Sequence, residues 1–253
     1  MNSVHKLFYD WAFLNAQDKI MEYVFLEGGM SSDVLYFKTK NKQFVWKKSN
    51  EVLPKLGLSA FNEYFILKKI DNQNLSPRAI AKAKFGYIQE FINGTIVDLR
   101  EFKNYAVPIL SRIHKIKLNT WHNTISPISV IEFYWSSLAD FQKKPAITKK
   151  KNLLLNSFNG TLFKPTLCHN DLHPGNLFKI KNKFKVIDWE YAYIYDPSYD
   201  LAMMIYLNQM DIDDAVSQYC SINFQLNEKK WKKAIIYWIP YCKFICKLWT
   251  KLN

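Results

Sequence analysis

In the stretch His169-Asn170-Asp171-Leu172-His173-Pro174-Gly175-Asn176, an acid and an amide stand five residues apart, and Pro174 with Gly175 keeps the segment out of regular helix. Further on, Val186-Ile187-Asp188-Trp189-Glu190 puts another carboxylate at the end of an apolar, strand-like run. These are residue types that phosphoryl transfer uses. A hard cation such as Mg2+ takes carboxylate and amide oxygens while sharing phosphate oxygens, which suits Asn176 and Asp188 as ligands. Asp171 is then left to accept or orient the proton of an attacking hydroxyl. Taken singly, an Asp or Asn in a Pro-Gly loop is an ordinary turn residue; the ordered combination carries the reading.

The blocks H-N-D-L-H-P-G-N-L and V-I-D-W-E-Y, followed by Asp196-Pro197-Ser198-Tyr199-Asp200-Leu201-Ala202, resemble the signature of the aminoglycoside phosphotransferase and choline kinase superfamily, relatives of the protein kinases. The resemblance implies an α+β, two-lobed protein-kinase-like fold, with a small β-rich N-terminal lobe and a larger, mainly helical C-terminal lobe. It implies ATP and Mg2+ as cofactors, Asp171 as the residue that acts on the hydroxyl, and Asn176 and Asp188 as metal ligands. His169 is read as bracing the catalytic loop. In Leu110-Ser111-Arg112-Ile113-His114, which resembles a helical segment of the family, His114 is read as a packed or hydrogen-bonded residue. The sequence does not assign His173.

The first lobe should then hold the nucleotide. Gly28, Gly29, Ser31 and Ser32 lie between two strand patterns, where small residues let backbone amides approach phosphate oxygens, although Gly-Gly equally makes a plain hairpin turn. Lys47 ends a strand, as the phosphate-gripping Lys does in kinases, and Glu63 on the following helix would pair with it. Lys47 shares a strand face with Val45, and Lys48 with Phe44 and Trp46, so a one-residue slip would exchange the two lysines. Gly86 to Gly94 resembles the family's interlobe connection, whose backbone holds adenine. That makes Gln89, Glu90, Phe91 and Ile92 the adenine contacts, with an edge strand as the alternative.

The elements that must position these residues follow from pattern. Tyr23–Leu26, Val34–Phe37 and Phe44–Trp46 read as strands, with turns at Gly28-Gly29 and Asn41-Lys42. A helix capped by Ser59 runs to Ile70, and extended pieces cover Ala79–Ala83 and Gly86–Ile92. Residues 1–94 form the nucleotide-binding lobe and 95–253 the catalytic and acceptor-binding lobe. The second is helical over Asp98–Ile116, Ser129–Gln142, Ile147–Phe158, Tyr199–Gln209, Ile212–Tyr219 and Asn227–Leu252. One hairpin interrupts it, Leu177–Ile187, alternating apolar residues with lysines around a turn at Asn182-Lys183.

The last helix carries Trp231, Trp238 and Trp249 on one stripe, with Tyr241 on an adjacent face. Such a stripe reads as core, and also as a cage for a quaternary ammonium group, which the resemblance to choline kinases implies. Glu190 would add a carboxylate for a cationic acceptor. A small cationic alcohol such as choline is therefore the expected partner, with thiamine or an aminoglycoside as alternatives and a non-catalytic nucleotide-binding module as the reading of another class. The net charge of +13 suits an anionic partner, but the lysines are scattered rather than striped, which excludes nucleic acid as the expectation. The four cysteines form no paired short-spaced motif, so neither a disulfide framework nor a zinc site is expected. No apolar run is long enough to span a bilayer and Met1–Leu14 lacks a leader pattern, which points to the cytoplasm. Oligomeric state is not legible.

Overall fold

The computed structural model describes residues 2–14, 18–26, 33–118, 125–224 and 226–252. In chain order the elements are α1 (Ser3–Phe13), β1 (Glu22–Phe25), β2 (Val34–Lys38), β3 (Gln43–Lys48), α2 (Asn62–Ile70), β4 (Ala79–Lys82), β5 (Gly86–Glu90), β6 (Thr95–Ile96) and α3 (Leu99–His114). There follow α4 (Pro127–Ser137), α5 (Pro145–Asn156), β7 (Thr166–Cys168), β8 (Leu177–Ile180), β9 (Lys183–Val186), β10 (Tyr193–Tyr195), α6 (Pro197–Leu207), α7 (Ile212–Ile222) and α8 (Glu228–Leu252). Two units emerge from the packing. One comprises Met1–Pro54, Leu58–Ile96 and Asn176–Glu190; the other comprises Lys55–Gly57, Val97–Gly175 and Tyr191–Asn253. The hairpin thus groups with the sheet unit and not with the helices that flank it in sequence.

In the first unit an antiparallel sheet has the order β1-β2-β3-β5-β4. Its register pairs Leu35 with Trp46 and Trp46 with Ile88, so strand alternation gathers Leu35, Phe37, Phe44, Trp46 and Ile88 on one face. Leu7 of α1 seals that face, with Trp11 and Leu14 beside it. Each such buried side chain contributes about 1.5–3 kcal/mol. The helix is pinned by the fully buried Asp10, which accepts hydrogen bonds from Trp46 Nε1 at 2.9 Å and from the amides of Lys84 and Phe85. No helix was expected here, although Leu7, Trp11 and Leu14 keep an i, i+4, i+7 stripe and Asn2 caps it. The opposite sheet face carries Val45, Lys47, Tyr87 and Gln89, with Tyr64 of α2 meeting Tyr87 edge to face.

The hairpin forms as its alternation predicts, but the turn is Lys181-Asn182, one residue early, with Lys181 left-handed. It joins the first unit through β6 pairing with β8 and through Val186 N–H donating to Leu75 O. In α2 the first turn begins at Asn62 rather than Ser59, whose hydroxyl instead accepts from Phe61 N.

The second unit is mainly helical. Side-chain caps set several helix starts: Asp98 for α3, Ser126 for α4 and Asp196 for α6. The caps moved α4 and α6 two residues earlier than apolar periodicity suggested. The predicted helix to Gln142 stops at Ser137 and resumes only as a single turn over Asp140–Gln142. The short strands β7 and β10, absent from the sequence reading, pair antiparallel. Helix α6 is buried from Pro197 to Ile205 and packs on α8. Among the described residues, no helix is long and apolar enough to cross a membrane.

Candidate active site

The register of β3 decides between the two lysines. Lys47 is buried and its Nζ lies 2.6 Å from Glu63 Oε2 and 2.7 Å from Asp188 Oδ1. Lys48 lies toward solvent, 3.9 Å from Glu51. Burial alone would lower the Lys47 pKa, but the carboxylates of Asp188, Glu63 and Glu190 outweigh it and hold the ammonium above its ordinary value. Lys47 is therefore a fixed cation. Gly86 is what lets β5 run so close: a Cβ there would collide with the Lys47 carbonyl and the Trp46 ring. Glu63 is fixed from its other oxygen, which accepts from Trp189 N–H at 3.1 Å. Tyr87 sits in the same cluster, its phenol pushed well up by burial and by the Glu63 charge.

The hairpin brings Asn176 and Asp188 together at its open end, where Ile187 N–H donates to Asn176 O at 3.0 Å. Asn176 is buried and Asp188 partly exposed. Asp188 has φ of 64°, a left-handed conformation that costs a non-glycine residue about 1–3 kcal/mol and concentrates at functional positions. The pair offers one amide and one carboxylate oxygen source, a donor set that fits a hard divalent cation. Glu190, expected to serve the acceptor, is instead buried: its Oε2 accepts from Asn50 Nδ2 and its carbonyl from Asn62 Nδ2, each at 2.9 Å. Its charge adds to the field on Lys47.

In the second unit a carboxylate missed by the sequence reading organises the loop that starts at His169. Asp200, fully buried on α6, accepts from His169 N–H at 2.7 Å and from Asn170 N–H at 2.8 Å. His114 Nε2 meets the same carboxylate at 3.1 Å, and its Nδ1 meets Tyr219 Oη at 2.7 Å. Cys168 completes this buried group, its thiol pushed well up by burial and by Asp200. The expectation of His114 as a hydrogen-bonded residue is met with a definite partner. Asn170 is left-handed, φ 66°, and its side chain donates to Tyr191 O. Asp171 follows directly, with its N–H 3.3 Å from His169 Nδ1, so His169 braces the loop through both its backbone and its ring. The sequence signal for Asp200 is its place as the second acid of the Asp196-Pro197-Ser198-Tyr199-Asp200 block.

At the end of β5, Glu90 and Phe91 already donate their N–H groups to the carbonyls of Arg78 and Gln43. Gln89 and Ile92 are buried, and Glu90 approaches Lys185 at 3.7 Å. Gly28, Gly29, Ser31 and Ser32 lie outside the described residues. On α8 the structure corrects the cage reading for three of four aromatic residues. Trp238 is fully buried and donates from Nε1 to Ser198 Oγ; Tyr241 donates to Leu154 O; Trp231 stacks on Phe163 with centroids 4.4 Å apart. Their faces serve the core, as do the polar atoms of Trp238 and Tyr241. Trp249 is half-buried.

A lysine clamped between a helical glutamate and a hairpin aspartate in one unit, and a loop held by a buried acid in the other, are the features of a kinase-like phosphotransferase. The sequence model of the phosphotransferase enzyme family matches residues 22–220, and the chain belongs to that family. It is 25% identical over 202 residues to a protein LicA homolog of Mycoplasma capricolum, covering 77% of this chain and 84% of the relative. A thiamine kinase of Shigella boydii is 20% identical over 222 residues, covering 87% of this chain and 79% of that one. The solved choline kinase LicA from Streptococcus pneumoniae shares the fold, with a TM-score of 0.76 at 21% identity, over 98% of this chain and 90% of that one.

Proposed function

We propose that this protein transfers the γ-phosphoryl group of ATP to the hydroxyl of a small cationic alcohol, with choline as the first candidate. The observation that carries the reading is the Lys47 ammonium held between Glu63 and Asp188. In this role Lys47 turns its fixed charge to the phosphates, and Glu63 keeps it there. Asn176 and Asp188 would hold Mg2+, which when bound neutralises phosphate charge. Ile92 is the N–H donor of the β5 connection that would meet a nucleobase, since the amides of Glu90 and Phe91 are spent. Asp171 accepts the hydroxyl proton as the new O–P bond forms and the bond to the nucleoside diphosphate breaks.

The acceptor reading is supported by the LicA relatives and by α8. Burial, with the Asp171 carboxylate adding to it, pushes the Cys246 thiol up to about 11. Cys246 thus feels the Asp171 charge, and Trp249 follows it by one turn on α8. A half-buried Trp face there offers cation–π attraction. Thiamine, also a cationic alcohol, is the second reading, favoured by the thiamine kinase match over 87% of the chain. ADP release measured with choline, ethanolamine, thiamine and kanamycin, with and without Mg2+, tests both. Turnover with choline and its loss in Asp171→Asn are expected; choline giving no rate above background would overturn the leading acceptor.

A further inference from the structure

His173, left unassigned by the sequence, stands two residues beyond Asp171 with its ring tied on one side. Gly175 N–H donates to His173 Nδ1 at 3.1 Å. A neutral imidazole that accepts at Nδ1 carries its proton on Nε2. That Nε2 lies 3.8 Å from Asp171 Oδ2, and both side chains keep solvent access, 39% and 32% exposed. The arrangement depends on glycine, because a Cβ on Gly175 would stand 2.9 Å from His173 Cε1 and 3.2 Å from Nδ1. Pro174, with its φ fixed, links the two residues.

We infer that His173 is a positioning residue for Asp171, presenting an Nε2–H to Oδ2 so that Oδ1 is turned to the acceptor hydroxyl. The inference rests on the proposed role of Asp171. At 3.8 Å the two groups stand just beyond hydrogen-bond distance, a separation of the kind that tightens when a substrate is bound. The tautomer also excludes a proton relay. With Nε2 already protonated and Nδ1 held by the Gly175 amide, the ring has no lone pair to take a proton from Asp171. The proton that leaves the alcohol stays on Asp171 until product departs.

His173→Ala is expected to lower kcat for ATP and choline about tenfold, the lower end for removing a partner that orients a reacting group, with KM for ATP and thermal midpoint unchanged. His173→Gln should recover most of the rate, since a carboxamide offers an oxygen to Gly175 N–H and an N–H to Asp171. Gly175→Ala should cost a similar factor in the otherwise unaltered protein and nothing further when combined with His173→Ala. A purely structural loop role predicts additive losses and no rescue. Independently of any acceptor, 15N NMR of the ring should show the Nε2–H tautomer, with an Nε2 shift that moves in Asp171→Asn. Full activity in His173→Ala, additive losses in the double variant, or an Nδ1–H tautomer would each overturn the inference. Turnover surviving in Asp171→Asn would instead sink the role of Asp171 itself.

Discussion

The two units hold their candidate site residues with opposite materials. In the sheet unit, side-chain charges hold one another: Lys47 satisfies Glu63 and Asp188, and Glu190 adds its field from a buried position. In the helical unit, one buried carboxylate holds backbone: Asp200 takes the consecutive amides of His169 and Asn170 and fixes the strained residue before Asp171. The first arrangement places charge, and it fails by leaving charges unpaired. The second places a loop, and it fails by loosening geometry while the charges around Lys47 stay as they were. Lys47→Ala is the harshest test of this contrast. It strands Glu63 in the interior, so stability should fall by about 3 kcal/mol, the lower end for breaking a buried pair because Asp188 is partly exposed. kcat/KM for ATP should fall about 10²–10³-fold. Chemical denaturation and steady-state kinetics read both effects, and an ATP affinity that survives would break the assignment of phosphate contact to the sheet unit.

Asp200→Asn probes the other arrangement with a smaller effect. The carboxamide keeps the shape but turns an NH2 toward an amide N–H or toward His114, so one buried donor loses its acceptor at about 1–3 kcal/mol. The expected signature is a reduced kcat with unaltered nucleotide affinity, the reverse of Lys47→Ala, measured by nucleotide titration alongside turnover. Equal loss of affinity in both variants would mean that the division of labour between the units is wrong.

Alkaline pH should sharpen the contrast further, because the helical unit carries thiols and phenols whose neutral forms burial favours. Cys246 rises from 9.0 to about 11 and Tyr237 from 10.0 to about 12, while Cys168, Cys242, Tyr193 and Tyr199 are pushed well up. In these groups the folded state keeps protons that the unfolded chain gives up. Stability is thus fully present below pH 9 and is lost as pH rises through the window from 9 to 12. Thermal midpoints should fall across that window, and a flat profile to pH 11 would contradict the burial of these groups.

What the sequence made legible follows the range of the interactions. Asp171, Asn176 and Asp188 could be proposed as a site because their residue types stand in two short blocks, and the hairpin between them could be read because alternation is a local property. The choice of Lys47 over Lys48 needed only strand parity, which the pairing of Lys47 with Tyr87 then fixed. Asp200 was in plain sight but has partners 30 and 31 residues away, plus His114 at 86, and no local pattern announces such a bond. Helix α1 offers only a three-residue apolar stripe, Leu7, Trp11 and, at its C-cap, Leu14, and such a short stripe does not announce a helix. Periodicity also showed which face the α8 aromatic residues share, without showing that the other helices cover it.

That covered face supports a last and mildest prediction. A cage and a core both explain a Trp stripe, yet they respond differently to loss of the indole N–H. Trp238→Phe removes the Nε1 to Ser198 Oγ bond inside a cluster where Tyr199, Tyr237 and Tyr241 already meet the ring. It leaves the Ser198 hydroxyl bonded to Asp196, at 2.6 Å, so the expected cost is about 1 kcal/mol of stability. KM for choline should not change, because no face of Trp238 is open to a ligand. Trp249→Ala, at the half-buried end of the same stripe, should raise KM for choline severalfold through loss of cation–π contact while stability moves less than in Trp238→Phe. Were the two variants to exchange these signatures, the stripe would be a cage at its centre, and the helical unit would have to open to admit the acceptor.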